Sequence, residues 1–391
     1  MRMLACSGKD TKVVGHSNAA RGMVAFMGLV MPLAAVVGIA MPTDSERAFV
    51  YVGNSESQDI TVFELSGAAL QLVATVAVPG PKQRGTSLPL AVSPDRRFLY
   101  AGLRNQPYSV VTFSIDAKTG TLAYDGRGPL ANSMAYIVTD RTGRYLLAAS
   151  YDGDEVTVSP IGADGIVQPA QQVIPTLPHS HCILPDPANR HVLHTSLGGD
   201  VVYQDSFAAS SGRLAPGHPP TVSVKRNAGP RHLVFSADGR FVYLVNELDA
   251  SIDVFPYDPA TGTLGKQKQV LSALPNGFTG KPWAADIHLT PDGRFLYASE
   301  RTSSTLAAFR VHPADGTLSS IGSFATARQP RSFQIDPSGR SLISAGQLSN
   351  TVTVHSIDKE TGTLVLLGEV PTGKSPGWVE VIRGPRSGGG S

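Results

Sequence analysis

One phrase recurs along the chain: a tight turn, a basic residue, then the start of a hydrophobic strand. It reads Asp95-Arg96-Arg97-Phe98-Leu99-Tyr100, Gly143-Arg144-Tyr145-Leu146, Asn189-Arg190-His191-Val192-Leu193, Gly239-Arg240-Phe241-Val242-Tyr243, Gly293-Arg294-Phe295-Leu296-Tyr297 and Gly339-Arg340-Ser341-Leu342. A first copy, Glu46-Arg47-Ala48-Phe49-Val50-Tyr51, has no turn before it, and successive copies lie about 50 residues apart. A second phrase follows most copies: Thr119-Gly120-Thr121-Leu122, Thr261-Gly262-Thr263-Leu264, Asp315-Gly316-Thr317-Leu318 and Thr361-Gly362-Thr363-Leu364. Repeats of about 40–50 residues, each holding several short strands, cannot bury their own faces and must stack on their neighbours. The seven copies therefore predict an all-β, seven-bladed β-propeller.

Within a repeat the residues alternate with period two. In the fifth, His232–Ser236 reads as strand A, Phe241–Asn246 as B, Ser251–Tyr257 as C and the stretch near Gln267–Leu271 as D. Asp238-Gly239 and Thr261-Gly262 supply the A–B and C–D turns. Trp378–Ile382 reads as a strand A with no B after it, and Phe49–Gly53 as a B with no A before it. Pairing the two closes the ring and removes an exposed sheet edge. The repeated phrases are all A–B or C–D turns and so lie on one face as scaffold. The B–C and D–A loops vary and share the other face.

Composition bounds the setting. Charge is balanced, at a formal +2 over 391 residues, with no run of like charges, so nucleic acid is not an expected partner. The two cysteines, Cys6 and Cys182, make no disulfide framework. Residues 1–45 precede the repeats. Their apolar stretch Met23–Ala40, preceded by Arg2, Lys9, Lys12 and Arg21, has the layout of a secretory signal peptide. The expectation is export to a bacterial periplasm. An uncleaved leader would be the sole membrane contact, and a true start at Met23 would leave the protein cytoplasmic. Residues 46–384 form the predicted propeller, and 385–391, ending Ser-Gly-Gly-Gly-Ser, read as a flexible linker.

The variable loops gather unusual residues at one mouth of the predicted channel. Arg231, Arg301 and Arg331 favour an anionic ligand, since a guanidinium binds carboxylate or phosphate in a planar, bidentate manner. The competing reading pairs each with Glu247, Glu300 or Asp286 as a tie between blades. His179 and His181, two apart on a strand, are expected on one face, as a general base with a neighbour or as two metal ligands. The absence of a carboxylate or cysteine at ligand spacing argues against the metal, and no cofactor is expected. Cys182 alternates to the opposite face as a buried thiol. His232 and His288 read equally as channel lining or as functional groups, and Trp283 and Trp378 as rings able to stack on a ligand, with blade packing the favoured reading.

These loops resemble the seven-bladed propeller lactonase family, which includes bacterial 6-phosphogluconolactonases and fungal carboxy-muconate lactonising enzymes. The resemblance runs from about Phe49 to Ile382. It is carried by His179-Ser180-His181, Gly229-Pro230-Arg231-His232, Val245-Asn246-Glu247-Leu248, Trp283-Ala284-Ala285-Asp286-Ile287-His288, Ser299-Glu300-Arg301-Thr302 and Gln329-Pro330-Arg331. It implies a metal-independent lactonase acting on a small anionic lactone, foremost 6-phosphogluconolactone of sugar phosphate metabolism; a monomer is the separate expectation for its assembly. A histidine of the 179/181 pair would take a proton from water, and Arg231 or Arg301 would meet the oxyanion. Glu247 would orient the base or an arginine. Arg331 and Arg104 would hold the anionic tail, with His232, His288 and Gln347 as further substrate contacts. The alternatives are a lactonising enzyme acting on a dicarboxylate, and an exported propeller that binds partners without catalysis.

Overall fold

A computed structural model describes residues 47–67, 69–82 and 87–385, all strands and turns with no helix among them. The leader, and residues 386–391 of the C-terminal linker anticipated from sequence, lie outside the described residues. Blade 1 begins with β1 (Arg47–Asn54), β2 (Asp59–Ser66) and β3 (Ala69–Ala77). Blade 2 is β4 (Leu90–Val92), β5 (Phe98–Leu103), β6 (Ser109–Ile115) and β7 (Leu122–Pro129). Blade 3 is β8 (Met134–Thr139), β9 (Tyr145–Ser150), β10 (Glu155–Pro160) and β11 (Gln172–Pro175). Blade 4 is β12 (Ser180–Pro185), β13 (His191–Ser196), β14 (Val201–Ala208) and β15 (Arg213–Ser223). Blade 5 is β16 (Pro230–Phe235), β17 (Phe241–Asn246), β18 (Ser251–Asp258) and an outer strand split into β19 (Thr263–Leu264) and β20 (Gln269–Ser272). Blade 6 is β21 (Ala284–Leu289), β22 (Phe295–Glu300), β23 (Thr305–Val311) and β24 (Leu318–Ala325). Blade 7 is β25 (Pro330–Ile335), β26 (Ser341–Gly346), β27 (Thr351–Ile357) and β28 (Leu364–Pro371). The last strand, β29 (Pro376–Arg383), returns to blade 1 and pairs with β1, with Phe49 opposite Ile382 and Gly53 opposite Trp378. The predicted closure is the observed one.

Burial follows position in the blade. The second strand of a blade is buried on both faces, because each blade packs between two others: all six residues of β17 and of β26 are buried. The outermost strands meet solvent, and β28 is buried only at Leu364.

The two repeated phrases prove to be halves of one joint. In blades 3, 4 and 5 the arginine after the A–B turn reaches the C–D turn of the following blade. Arg144 donates to Ala209 O (2.6 Å), Arg190 to Pro259 O (2.9 Å) and Arg240 to Pro313 O (2.9 Å). The next residue packs on the glycine of that same turn, where a Cβ would overlap it: Tyr145 on Gly212, His191 on Gly262, Phe241 on Gly316 and Phe295 on Gly362. Two residues further on, Tyr243 and Tyr297 donate to the carbonyls of Gly316 (3.0 Å) and Gly362 (2.8 Å). These glycines also hold φ near +70°, so both the conformation and the close approach exclude a side chain.

Candidate active site

The innermost strand of each blade lines the channel, and in six blades its pairing slips at the start. On β16, Pro230 faces Asn246 and His232 faces Val245, leaving Arg231 as the extra residue. Arg331 holds the same place on β25, and Ala135 on β8. On β12 the slip spans His181 and Cys182, on β21 Ala285 and Asp286, and on β29 it falls at Gly377. A bulge bends its strand and re-aims a side chain. Here it aims residues from separate blades at one space, beneath the B–C and D–A loops.

That space is a cavity of about 920 Å³. His181, Glu247, Arg301, Arg331, Arg104 and Gln347 line it, as the sequence suggested. Tyr151, Trp283, Asp152 and Gln329 complete its polar wall. Trp283 is thus corrected from blade packing to cavity wall. It is 38% exposed, lies under the Arg301 guanidinium (3.8 Å to the ring centroid) and donates Nε1 to Glu247 Oε1 (3.2 Å).

His179 and His181 do not share a face. His179 precedes β12 with φ at +65°, its amide held by Asp154 Oδ1 (2.7 Å), which breaks the alternation the spacing implied. Its ring stacks on Tyr151 (4.2 Å) outside the cavity wall, while His181 meets Tyr151 edge-on (5.9 Å) inside it. His181 is 4% exposed, and its Nδ1 is buried with no hydrogen-bond partner among the described residues. Burial, and then the charges of Arg231, His232, Arg331 and Arg301, hold its imidazole well below the ordinary histidine range. It is neutral at neutral pH.

The three arginines divide. Arg231, 1% exposed, does not line the cavity; it donates Nε to Glu247 Oε2 (2.9 Å) and Nη1 to Ala285 O. Arg301 gives Nη2 to the same Glu247 oxygen (2.7 Å) and to Ala284 O (3.0 Å), and Nε to Trp283 O (3.1 Å). Its Nη1 has no partner among the described residues. Burial lowers Arg301 to about 9, helped by Arg231 and opposed by Glu247. Burial pushes Glu247 up, but Arg301, Arg231 and Arg331 together bring it below the usual carboxylate range. With both oxygens taken, Glu247 orients guanidinium groups rather than accepting a proton. Arg331 makes no hydrogen bond or ion pair among the described residues. Burial and the neighbouring Arg231, Arg301 and Arg104 depress it well below the ordinary arginine value. Arg104 is anchored to Ser133 Oγ (3.1 Å), Ser87 Oγ (2.9 Å) and Asp152 Oδ2 (3.2 Å).

His232 and His288 lie apart from this cavity and line a smaller one of about 350 Å³, beside the A–B turn residues Pro187 and Ala237. Asp286 joins them, accepting from His232 Nδ1 (2.8 Å) and pairing with His288 Nε2 (3.2 Å). His232 Nε2 then accepts from Arg231 Nη1 (3.2 Å). Burial and Arg231 lower His232 to about 4; burial opposes but Asp286 raises His288. Asp286 and His288 are two apart on β21, a signal in the sequence that went unused. Tyr136, Trp378 and His232 pack ring to ring, 5.2–6.1 Å apart, with Tyr136 and His232 in the wall of the smaller cavity. Cys182 is buried, its thiol pushed up to about 12 by desolvation. Among the described residues no group of three or more His, Cys, Asp or Glu is arranged to hold a metal ion.

Residues 49–381 match the model of the seven-bladed β-propeller lactonases. The chain belongs to that family. A 6-phosphogluconolactonase of Serratia proteamaculans is 43% identical over 293 residues, 74% of this chain and 85% of its own length. One from Pectobacterium carotovorum is 42% identical over 288 residues, covering 73% of this chain and 84% of its own. Among solved structures, the periplasmic gluconolactonase of Pseudomonas aeruginosa superposes with a TM-score of 0.79 at 29% identity, over 87% of this chain and all of its own. As a lactonase, the chain presents its cavity on the face opposite the repeated turns, where the bulged inner strands converge.

Proposed function

We propose that this lactonase opens a sugar δ-lactone bearing an anionic tail, with 6-phosphogluconolactone the substrate that fits best. The observation that carries the reading is Arg331, a guanidinium without a partner among the described residues. It lines the same cavity as a neutral imidazole and the unused Nη1 of Arg301. The names of the Serratia and Pectobacterium relatives support the phosphorylated sugar lactone.

In the reaction, a water oxygen bonds to the lactone carbonyl carbon as one of its protons passes to His181, a transfer worth roughly 10²–10⁴ in rate. Charge developing on the carbonyl oxygen is met by Arg301, which Glu247, Trp283 and two backbone carbonyls hold in place. The bond from the carbonyl carbon to the ring oxygen then breaks, and His181 returns the proton to that oxygen as a hydroxyl. The acid formed ionises and releases one proton to solvent. Arg331, with Arg104 beside it, holds the tail. Arg231 acts from behind, through Glu247.

Proton release from freshly prepared phosphorylated and unphosphorylated gluconolactone tests this. The phosphorylated lactone is expected to have the higher kcat/KM, and activity to persist in EDTA. Turnover of a carboxy-muconate in place of either lactone would favour the lactonising reading. Activity lost on chelation and restored by Zn²⁺ or Ca²⁺ would contradict the mechanism. We also read the basic, apolar leader as an export signal, in keeping with the periplasmic location named for the Pseudomonas neighbour. A mature N-terminus beyond residue 40 in a periplasmic fraction would bear this out, and an intact leader in the cytosol would contradict it.

A further inference from the structure

The positive charges around His181 outnumber the negative ones. Blade 5 contributes Arg231 and Glu247, blade 6 Arg301 and blade 7 Arg331. Arg231 and Arg301 share the single carboxylate of Glu247. The remaining charged groups at the cavity do not alter the balance at the imidazole. Arg104 is matched by Asp152 of blade 3, whose side chain is 62% exposed, and Glu56 of blade 1 is exposed to solvent. The other titratable rings against His181 are Tyr151 of blade 3 and His232 of blade 5. The inner cluster of three arginines and one carboxylate therefore carries two positive charges beside the group assigned as the base. Such a neighbourhood keeps an imidazole unprotonated, and it also makes that imidazole a poor acceptor, since basicity and reactivity in proton transfer move together.

We propose that the anionic tail of the substrate switches the site on: by neutralising Arg331 and its neighbours, it makes His181 a competent acceptor for the proton of the attacking water. This rests on the lactonase reading and adds a second role for Arg331 beyond holding the tail. A phosphate dianion carries the charge needed to balance the cluster. The free enzyme then has a muted base, and the base strengthens only when a tail-bearing lactone is in place. An unphosphorylated lactone enters the same cavity and meets the muted base. The discrimination between the two lactones appears in kcat together with a shift of its acid limb; the binding energy of a tail used only as a handle can raise kcat but leaves that limb in place.

The charge can be supplied in two pieces. Unphosphorylated glucono-δ-lactone is assayed at saturation with the purified full-length chain, with and without inorganic phosphite as a separate dianion. Phosphite is expected to raise kcat, by roughly threefold to tenfold for each unit gained in basicity, and to move the acid limb of kcat to higher pH. In Arg331→Gln, one cation is removed permanently. That variant is expected to turn over the unphosphorylated lactone faster than wild type and to lose most of the phosphite response, while its KM for the phosphorylated lactone rises. If both lactones are hydrolysed with the same acid limb and phosphite does not move it, even where kcat rises, the switch is overturned and the lactonase reading stands. If phosphite only competes with the phosphorylated lactone, Arg331 is a handle and the proposal again fails. If neither lactone is turned over, the functional reading itself is what fails.

Discussion

At the scale of single residues, the site is a set of charges whose partners decide their roles. Arg331→Ala should raise KM for the phosphorylated lactone several-fold, because a charge-assisted contact to the tail is lost. Arg301→Ala should lower kcat by roughly 10²–10³, as loss of an oxyanion donor does. Steady-state kinetics on fresh substrate separates the two; equal effects on both parameters from both variants would contradict the division. The pH dependence follows from the direction of each shift. His181 acts unprotonated and lies well below the ordinary histidine range, so on the unphosphorylated lactone, whose own charge does not change, kcat/KM should fall only below that range. Asp286 is depressed in the folded state, burial being outweighed by His288 and His232. Its stabilising contribution is therefore present above the ordinary carboxylate range and is lost as pH falls through the folded value. His288 is raised, so its contribution is full below the ordinary histidine value and is lost as pH rises through the folded one. Urea titrations across pH should show Asp286→Asn with a flatter acid limb than wild type; parallel curves would contradict the pairing. The residue types at this mouth were legible in the sequence because they interrupt otherwise monotonous repeats. Which of them touch the cavity was not. Arg231 and Arg331 occupy the same bulged place on their strands, yet one is sealed behind Glu247 and the other is open.

At the scale of elements, strands and turns were legible because alternation and the Asp-Gly and Thr-Gly-Thr signals are local. The contact between the two repeated phrases was not, since it joins different blades. It makes a specific claim on stability. Gly316→Ala places a methyl group into the Phe241 ring at a residue with φ of +72° and should cost about 2–4 kcal/mol. Tyr243→Phe removes a single buried hydrogen bond and should cost ~1 kcal/mol. Urea unfolding measures both, and a neutral Gly316→Ala would refute the joint. The bulges also escaped the sequence. A strict period of two placed His179 and His181 on one face, whereas the left-handed turn at His179 and the slip along β12 put one outside the cavity and one within.

At the scale of the whole molecule, ring closure ties the ends of the fold together. β29 supplies Val379 and Ile382 to the cores on either side of blade 1, and β1 has no other partner on that edge. A chain ending at Ser375 should lose cooperative unfolding and aggregate through the bared edge; a soluble, cooperatively folding truncation would show that closure is dispensable. This much was legible because orphan strands at the two ends of a repeat array have one economical solution. The activity is a property of the closed ring, since the proposed base, oxyanion donor and tail-binding cation come from blades 4, 6 and 7. The most direct test is the initial rate of proton release from fresh 6-phosphogluconolactone, corrected for spontaneous opening, for wild type against a folded His181→Gln variant. The account predicts rapid turnover by the wild type and a loss of roughly 10²–10⁴ in kcat for the variant. A wild type no faster than the uncatalysed reaction, or a variant as fast as wild type, would contradict it.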